Sequence, residues 1–115
     1  MTVGITGSSG FIGSRLALRL TREPDTRVVR LDQKMFQDPG ALARAVSDCD
    51  VIVHLAGGRF GKGDDFDYEA NVAIADTLIQ ALTAAHAKPA LLYIQTKAGA
   101  SGYGKGKRAA EARLR

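Results

Sequence analysis

Val3-Gly4-Ile5-Thr6-Gly7-Ser8-Ser9-Gly10-Phe11-Ile12-Gly13 opens the chain and decides how the rest of it is arranged. The stretch reads as a short apolar strand, a glycine turn and the first turn of a helix. Gly7, Gly10 and Gly13 recur every third residue. This lets the backbone turn tightly at Gly7, lets a phosphate approach bare main chain at Gly10, and lets the helix pack close to the strand at Gly13. The helix turns its free N–H groups and positive dipole end toward the turn, an arrangement that receives a pyrophosphate. The pattern is Thr-Gly-x-x-Gly-x-x-Gly rather than Gly-x-Gly-x-x-Gly, and a nucleotide is its natural occupant.

Outward from that stretch the chain alternates. Thr2 to Thr6 is the first strand, and Phe11 to about Arg22 the first helix, with Ile12, Leu16 and Leu20 at every fourth position. Pro24 stops that helix. Arg27 to Leu31 follows as a second strand, with Asp32 at its C-terminal end. Asp38-Pro39 reads as an N-cap with proline at the first helical position, starting a short helix over 40–47 that turns Leu42 and Val46 inward. Val51 to Ala56 is a near-continuous apolar strand ending in Gly57-Gly58, where the chain leaves the strand tip close to a ligand. His54, inside that strand, reads as structural. A glycine-rich charged loop is expected from Arg59 to Asp67, mobile without ligand, then a helix from about Tyr68 to Ala87 with Val72, Ala75, Leu78, Ile79 and Leu82 as its apolar stripe. Asn71, near its start, is either a local hydrogen bonder or a buried polar anchor. Ala90 to Gln95 is the fourth strand, 97–102 a small-residue loop, and 103–115 the start of a last helix. This alternation predicts an α/β, Rossmann-like doubly wound parallel sheet of four to five strands, with helices on both faces and a ligand crevice at the strand C-termini.

Asp32 lies 25 residues after Gly7 and 19 after Gly13. In a strand–helix–strand unit that spacing brings it beside the adenosine ribose of a dinucleotide, where a carboxylate accepts from both hydroxyls and repels a 2′-phosphate. Arg30 and Lys34 flank it and favour such a phosphate, so NAD is expected and NADP stays open.

The 115 residues make one domain, 1–115, and apolar and charged contents of 45% and 24% are those of an ordinary soluble globular protein. The net charge of +4 gathers near the C-terminus. It reads as a solvated helix face rather than a nucleic-acid patch, because the aromatics are few and not interleaved with the basic residues. Cys49 is the only cysteine, which excludes an internal disulfide and reads as a plain structural thiol in a reducing compartment. No signal peptide is expected, and no run is long enough to span a membrane, so a cytoplasmic protein is expected. No metal site is expected.

Tyr103 and Lys107 stand four apart on the last helix and share a face. An ammonium beside a phenol favours the phenolate, so such a tyrosine can pass a proton to or from a sugar hydroxyl or carbonyl while hydride moves at a nicotinamide. The hydroxyl of Thr96, at the tip of the preceding strand, is suited to hold the same oxygen.

The glycine stretch, Asp32, Val51-Ile52-Val53-His54-Leu55-Ala56-Gly57, Asn71-Val72 and Tyr103-x-x-x-Lys107 occur in one order at proper spacings. Together they resemble, over the whole chain, the N-terminal half of an extended short-chain dehydrogenase/reductase, the NAD-dependent epimerase/dehydratase family. The resemblance implies NAD or NADP as cofactor and a nucleotide-linked sugar as substrate. It implies that Gly7, Gly10, Phe11, Ile12 and Gly13 hold the pyrophosphate and Asp32 the ribose. Leu55, Ala56 and Gly57 would line the crevice, with Arg59 near phosphate and Asn71 among the cofactor residues. Tyr103 would be the acid/base, Lys107 its tuning and ribose-binding partner, and Thr96 would stand at the family's serine or threonine position.

The chain departs from that pattern in four ways. The third strand and its adenine-binding aspartate are reduced to Lys34-Met35-Phe36-Gln37, Thr96 is the sole hydroxyl at its strand tip, and the stretch from Thr96 to Tyr103 is short. The sequence also stops inside the catalytic helix, without the region that binds the sugar nucleotide, so turnover by these residues alone is not expected. The exposed 90–95 edge is expected to be covered in a homo-oligomer. The alternative to the enzyme reading is a non-catalytic NAD(P)-binding module or subunit.

Overall fold

The computed structural model describes residues 1–57 and 63–93, and in the last helix the backbone of 102–114 with side chains at 105 and 108–114. In chain order the elements are β1 (Thr2–Thr6), α1 (Phe11–Leu20), β2 (Arg27–Leu31), α2 (Gln33–Phe36), α3 (Pro39–Ser47), β3 (Val51–His54), α4 (Asp64–Ala84), β4 (Ala90–Tyr93) and α5 (Gly102–Leu114). The strands form one parallel sheet in the order β2-β1-β3-β4. β1 is flanked by β2, with Val3 opposite Val28, and by β3, with Val3 opposite Val51. The lower end of the β1–β3 pair is closed reciprocally. The Thr2 N–H donates to the Asp50 carboxylate at 2.7 Å, and the Asp50 N–H to the Thr2 carbonyl at 2.8 Å.

The pleat sends Val3, Ile5, Val28, Val51 and Val53 to one face, where Ala17, Leu16 and Leu20 of α1 pack on them. Leu31 and Ile52 point to the other face and join Leu42 and Val46 of α3, Cys49, and Leu78 and Ala81 of α4 in a larger core. Leu114 of α5 and Met35 and Phe36 of α2 pack against this core. One helix therefore lies on one face and the other helices on the opposite one.

Three expectations need correction. Ile12 is 55% exposed, because α1 seats its small residues, Gly13 and Ala17, on the sheet and leaves Leu16 and Leu20 only half-buried. Residues 33–36 form a helical turn rather than a remnant strand, because the Asp32 carboxylate caps the Met35 N–H at 3.0 Å. α3 starts as read from the sequence, with Pro39 at its first position and Asp38 as the N-cap, its carboxylate accepting from the Ala41 N–H at 3.2 Å. α4 begins at Asp64, four residues earlier than expected, since Asp64, Asp65 and Asp67 in its first turn complement the helix dipole; it ends at Ala84. That early start brings Asp67 into the helix, where it joins Asn71, Ala75, Leu78 and Ala81 on the buried stripe. β4 is described as far as Tyr93.

Candidate functional site

The C-terminal ends of β1, β2 and β3 open into a cavity of about 520 Å³, a size suited to a nucleotide. Its first wall is the glycine turn. Gly7 has φ +66°, and a β-carbon there would press on the Ala56 backbone nitrogen at 2.8 Å, so only glycine fits. The Gly10 N–H closes the turn on the Gly7 carbonyl at 3.1 Å. A β-carbon at Gly13 would collide with the Gly7 carbonyl oxygen, so the third glycine lets α1 sit directly on the turn. Gly10 caps α1 with no side-chain hydrogen bond among the described residues, leaving the first N–H groups of the helix available to an anion. Arg30 donates to the Ser8 carbonyl at 3.4 Å, which ties β2 to the turn.

The second wall comes from β2. Asp32 lines the cavity, with Oδ1 accepting from the Met35 N–H. Gln33, Phe36 and Gln37 continue this wall. The third wall is Leu55, Ala56 and Gly57 at the tip of β3, and the fourth is Ala73, Ile74 and Thr77 of α4.

Thr6, fully buried, joins two of these walls. Its Oγ1 accepts from the Leu55 and Ala56 N–H groups, both at 3.0 Å, and lies 2.7 Å from His54 Nδ1. With both lone pairs taken, the hydroxyl must donate to Nδ1, which assigns His54 the tautomer with its proton on Nε2. His54 also stacks on Tyr93, ring centroids 5.4 Å apart. The histidine is a structural residue, as its place in an apolar strand predicts.

Of the expected cofactor residues, Gly7, Gly10, Asp32, Leu55, Ala56 and Gly57 meet around this one cavity. Phe11 (74% exposed) and Ile12 begin α1 beside it; Arg15 covers the Phe11 ring at 3.7 Å and donates to its carbonyl at 3.0 Å. Asn71 is buried outside the cavity, with its amide donating to the Asp67 carbonyl at 2.7 Å and its Oδ1 set against Gly57 where a side chain would otherwise be. Arg59 and Thr96 lie outside the described residues. So do the side chains of Tyr103 and Lys107, whose backbone belongs to α5.

Sequence reasoning missed the cavity-facing residues of α2 and α4. Their one legible signal was the i, i+4 pair Ala73 and Thr77, next to the apolar stripe. Cys49 is buried and donates to the Ala45 carbonyl at 3.4 Å; desolvation, helped by Asp48 and Asp50, pushes its thiol up, so it is a poor nucleophile. Among the described residues no helix is long and apolar enough to cross a membrane.

Comparison with known proteins gives one consistent answer. The model of the NAD dependent epimerase/dehydratase family matches residues 3–114. A curated relative, dTDP-6-deoxy-L-talose 4-dehydrogenase (NAD(P)(+)) of Kitasatospora kifunensis, is 34% identical over 107 residues, covering 78% of this chain and 33% of that protein. The capsular polysaccharide assembling protein CapF of Staphylococcus aureus superposes with a TM-score of 0.77 at 31% identity, covering 99% of this chain and 29% of that one. UDP-glucose 4-epimerase of Bifidobacterium longum, solved with NAD+ and UDP, shares the fold with a TM-score of 0.78 at 17% identity, covering 99% of this chain and 48% of that one. The chain thus spans from about a third to half of the length of these relatives.

Proposed function

We propose that the cavity holds NAD and that these residues are the cofactor-binding part of an enzyme acting on a nucleotide-linked sugar. The chain belongs to the NAD dependent epimerase/dehydratase family. The observation that carries the reading is the convergence of the glycine turn, the uncapped start of α1, Asp32 and Leu55–Gly57 on one cavity.

When bound, NAD supplies a carbon that accepts hydride. The chain's own residues bind, orient and move the proton. Main chain at Gly7–Gly10 and the N–H groups that begin α1, at Phe11, Ile12 and Gly13, hold the pyrophosphate. Asp32, steadied by Met35, accepts from the ribose hydroxyls and repels a 2′-phosphate, so NAD is favoured over NADP; Arg30 is engaged with Ser8 instead. Asn71 fixes Gly57 at the crevice. The proton is assigned to Tyr103, with Lys107 one helical turn away favouring its phenolate, Thr96 holding the same substrate oxygen and Arg59 near phosphate. The relatives' names support a nucleotide-linked sugar as substrate.

A homo-oligomer formed along β4, the last strand of the described sheet, belongs to the same reading. So does the cytoplasm, whose reducing conditions suit a single buried thiol.

Calorimetric titration with NAD and NADP tests the site. NAD should bind, NADP more weakly, and Asp32→Ala should weaken NAD about tenfold or more, the scale of hydrogen bonds to a carboxylate. Failure to bind either dinucleotide would overturn the reading.

A further inference from the structure

We propose that Thr77 of α4 is a specificity residue that selects a purine with a 6-amino group over one with a 6-oxo group. The inference rests on the dinucleotide reading above. A ribose held by Asp32 hands its base to the wall that continues from Asp32, and there α2 packs against α4. Phe36 of α2 and Ile74 of α4 line the cavity with an aromatic ring and a branched chain, surfaces that suit the faces of a flat heterocycle. Among the described residues Asp32 is the only carboxylate lining the cavity, so beyond it the described groups that can meet the base edge are neutral.

The state of the Thr77 hydroxyl decides what it reads. Its Oγ1 donates to the Ala73 carbonyl at 2.9 Å, one helical turn back. A threonine hydroxyl has a single proton, so with that proton committed Thr77 meets the cavity only as an acceptor. Adenine presents N–H donors at its 6-amino group and satisfies it. Hypoxanthine carries a carbonyl oxygen at the same place, which puts lone pair against lone pair unless the hydroxyl gives up its bond to Ala73. Gln37, with both a donor and an acceptor on its amide, lines the same cavity and does not discriminate.

The test titrates the purified chain by calorimetry with NAD and with its deamino analogue, nicotinamide hypoxanthine dinucleotide. Wild type should prefer NAD roughly five- to tenfold, the scale of one hydrogen bond. Thr77→Val, nearly isosteric and without the hydroxyl, should still bind NAD but bring the ratio close to one. Thr77→Ser should keep the preference, with circular dichroism confirming that both variants fold. Equal binding of the two dinucleotides by wild type, or a preference that survives Thr77→Val, would overturn the role of Thr77 and leave the dinucleotide site standing. Binding of neither would overturn both.

Discussion

On one face of the sheet, Leu31, Leu42, Val46, Ile52 and Leu78 are sealed beneath α3 and α4, with α2 and α5 packed at the margins. On the other, Val3, Ile5 and Ala17 lie under α1 alone, and Leu92 on β4 is 57% exposed. The same four strands therefore carry a thick core and a thin one. The candidate site sits at the strand tips that both sides share, and among the described residues the side past β3 is the more exposed one.

Three experiments break or sharpen this contrast. The largest effect is expected in the thick core. Ile52→Ala should cost about 2–5 kcal/mol in denaturant unfolding, through lost burial and the cavity left behind. A loss under about 1 kcal/mol would show that this core is not the stabilising one. Next comes the joint between the walls of the site. Thr6→Val keeps the shape but leaves the Leu55 and Ala56 N–H groups and His54 Nδ1 without their shared partner, for a loss of about 1–3 kcal/mol. Thr6→Ser should stay near wild type, and equal losses in both variants would mean that the methyl group, not the hydroxyl, matters. The smallest effect on stability is expected on the thin side. Leu92→Arg should change unfolding by no more than about 0.5 kcal/mol, yet convert the expected oligomer to monomer in sedimentation. A wild-type chain that sediments as a monomer at micromolar concentration would remove the β4 interface from the proposal.

The strands were legible because buried parallel strands are written as short apolar runs between turn residues, as in Val51–His54. Half of the cavity was legible for a related reason. Gly7, Gly10 and Asp32 answer to local rules, namely a positive φ, a bare main chain and a carboxylate at a strand tip. The other half follows no local rule. Phe36 reaches the cavity because Asp32 caps a short helical turn, and Thr77 because α4 packs against α2, a tertiary contact. The exposure of Ile12 was hidden in the same way, since periodicity marks an apolar face but does not say that Gly13 and Ala17 will bring the helix too close for larger neighbours to be covered.

β1 is the first element of the chain and the centre of its sheet. Thr2 is tied to Asp50, 48 positions away, and Thr6 to His54 at the same separation. During synthesis, therefore, the first strand emerges long before its second neighbour exists, and its apolar residues have no finished place to go. Such distant pairing makes folding slow, and leaves an interval in which an unpaired apolar strand can find the wrong partner. The segment that founds the nucleotide site is, on this account, the one most in need of shelter while the protein is being made.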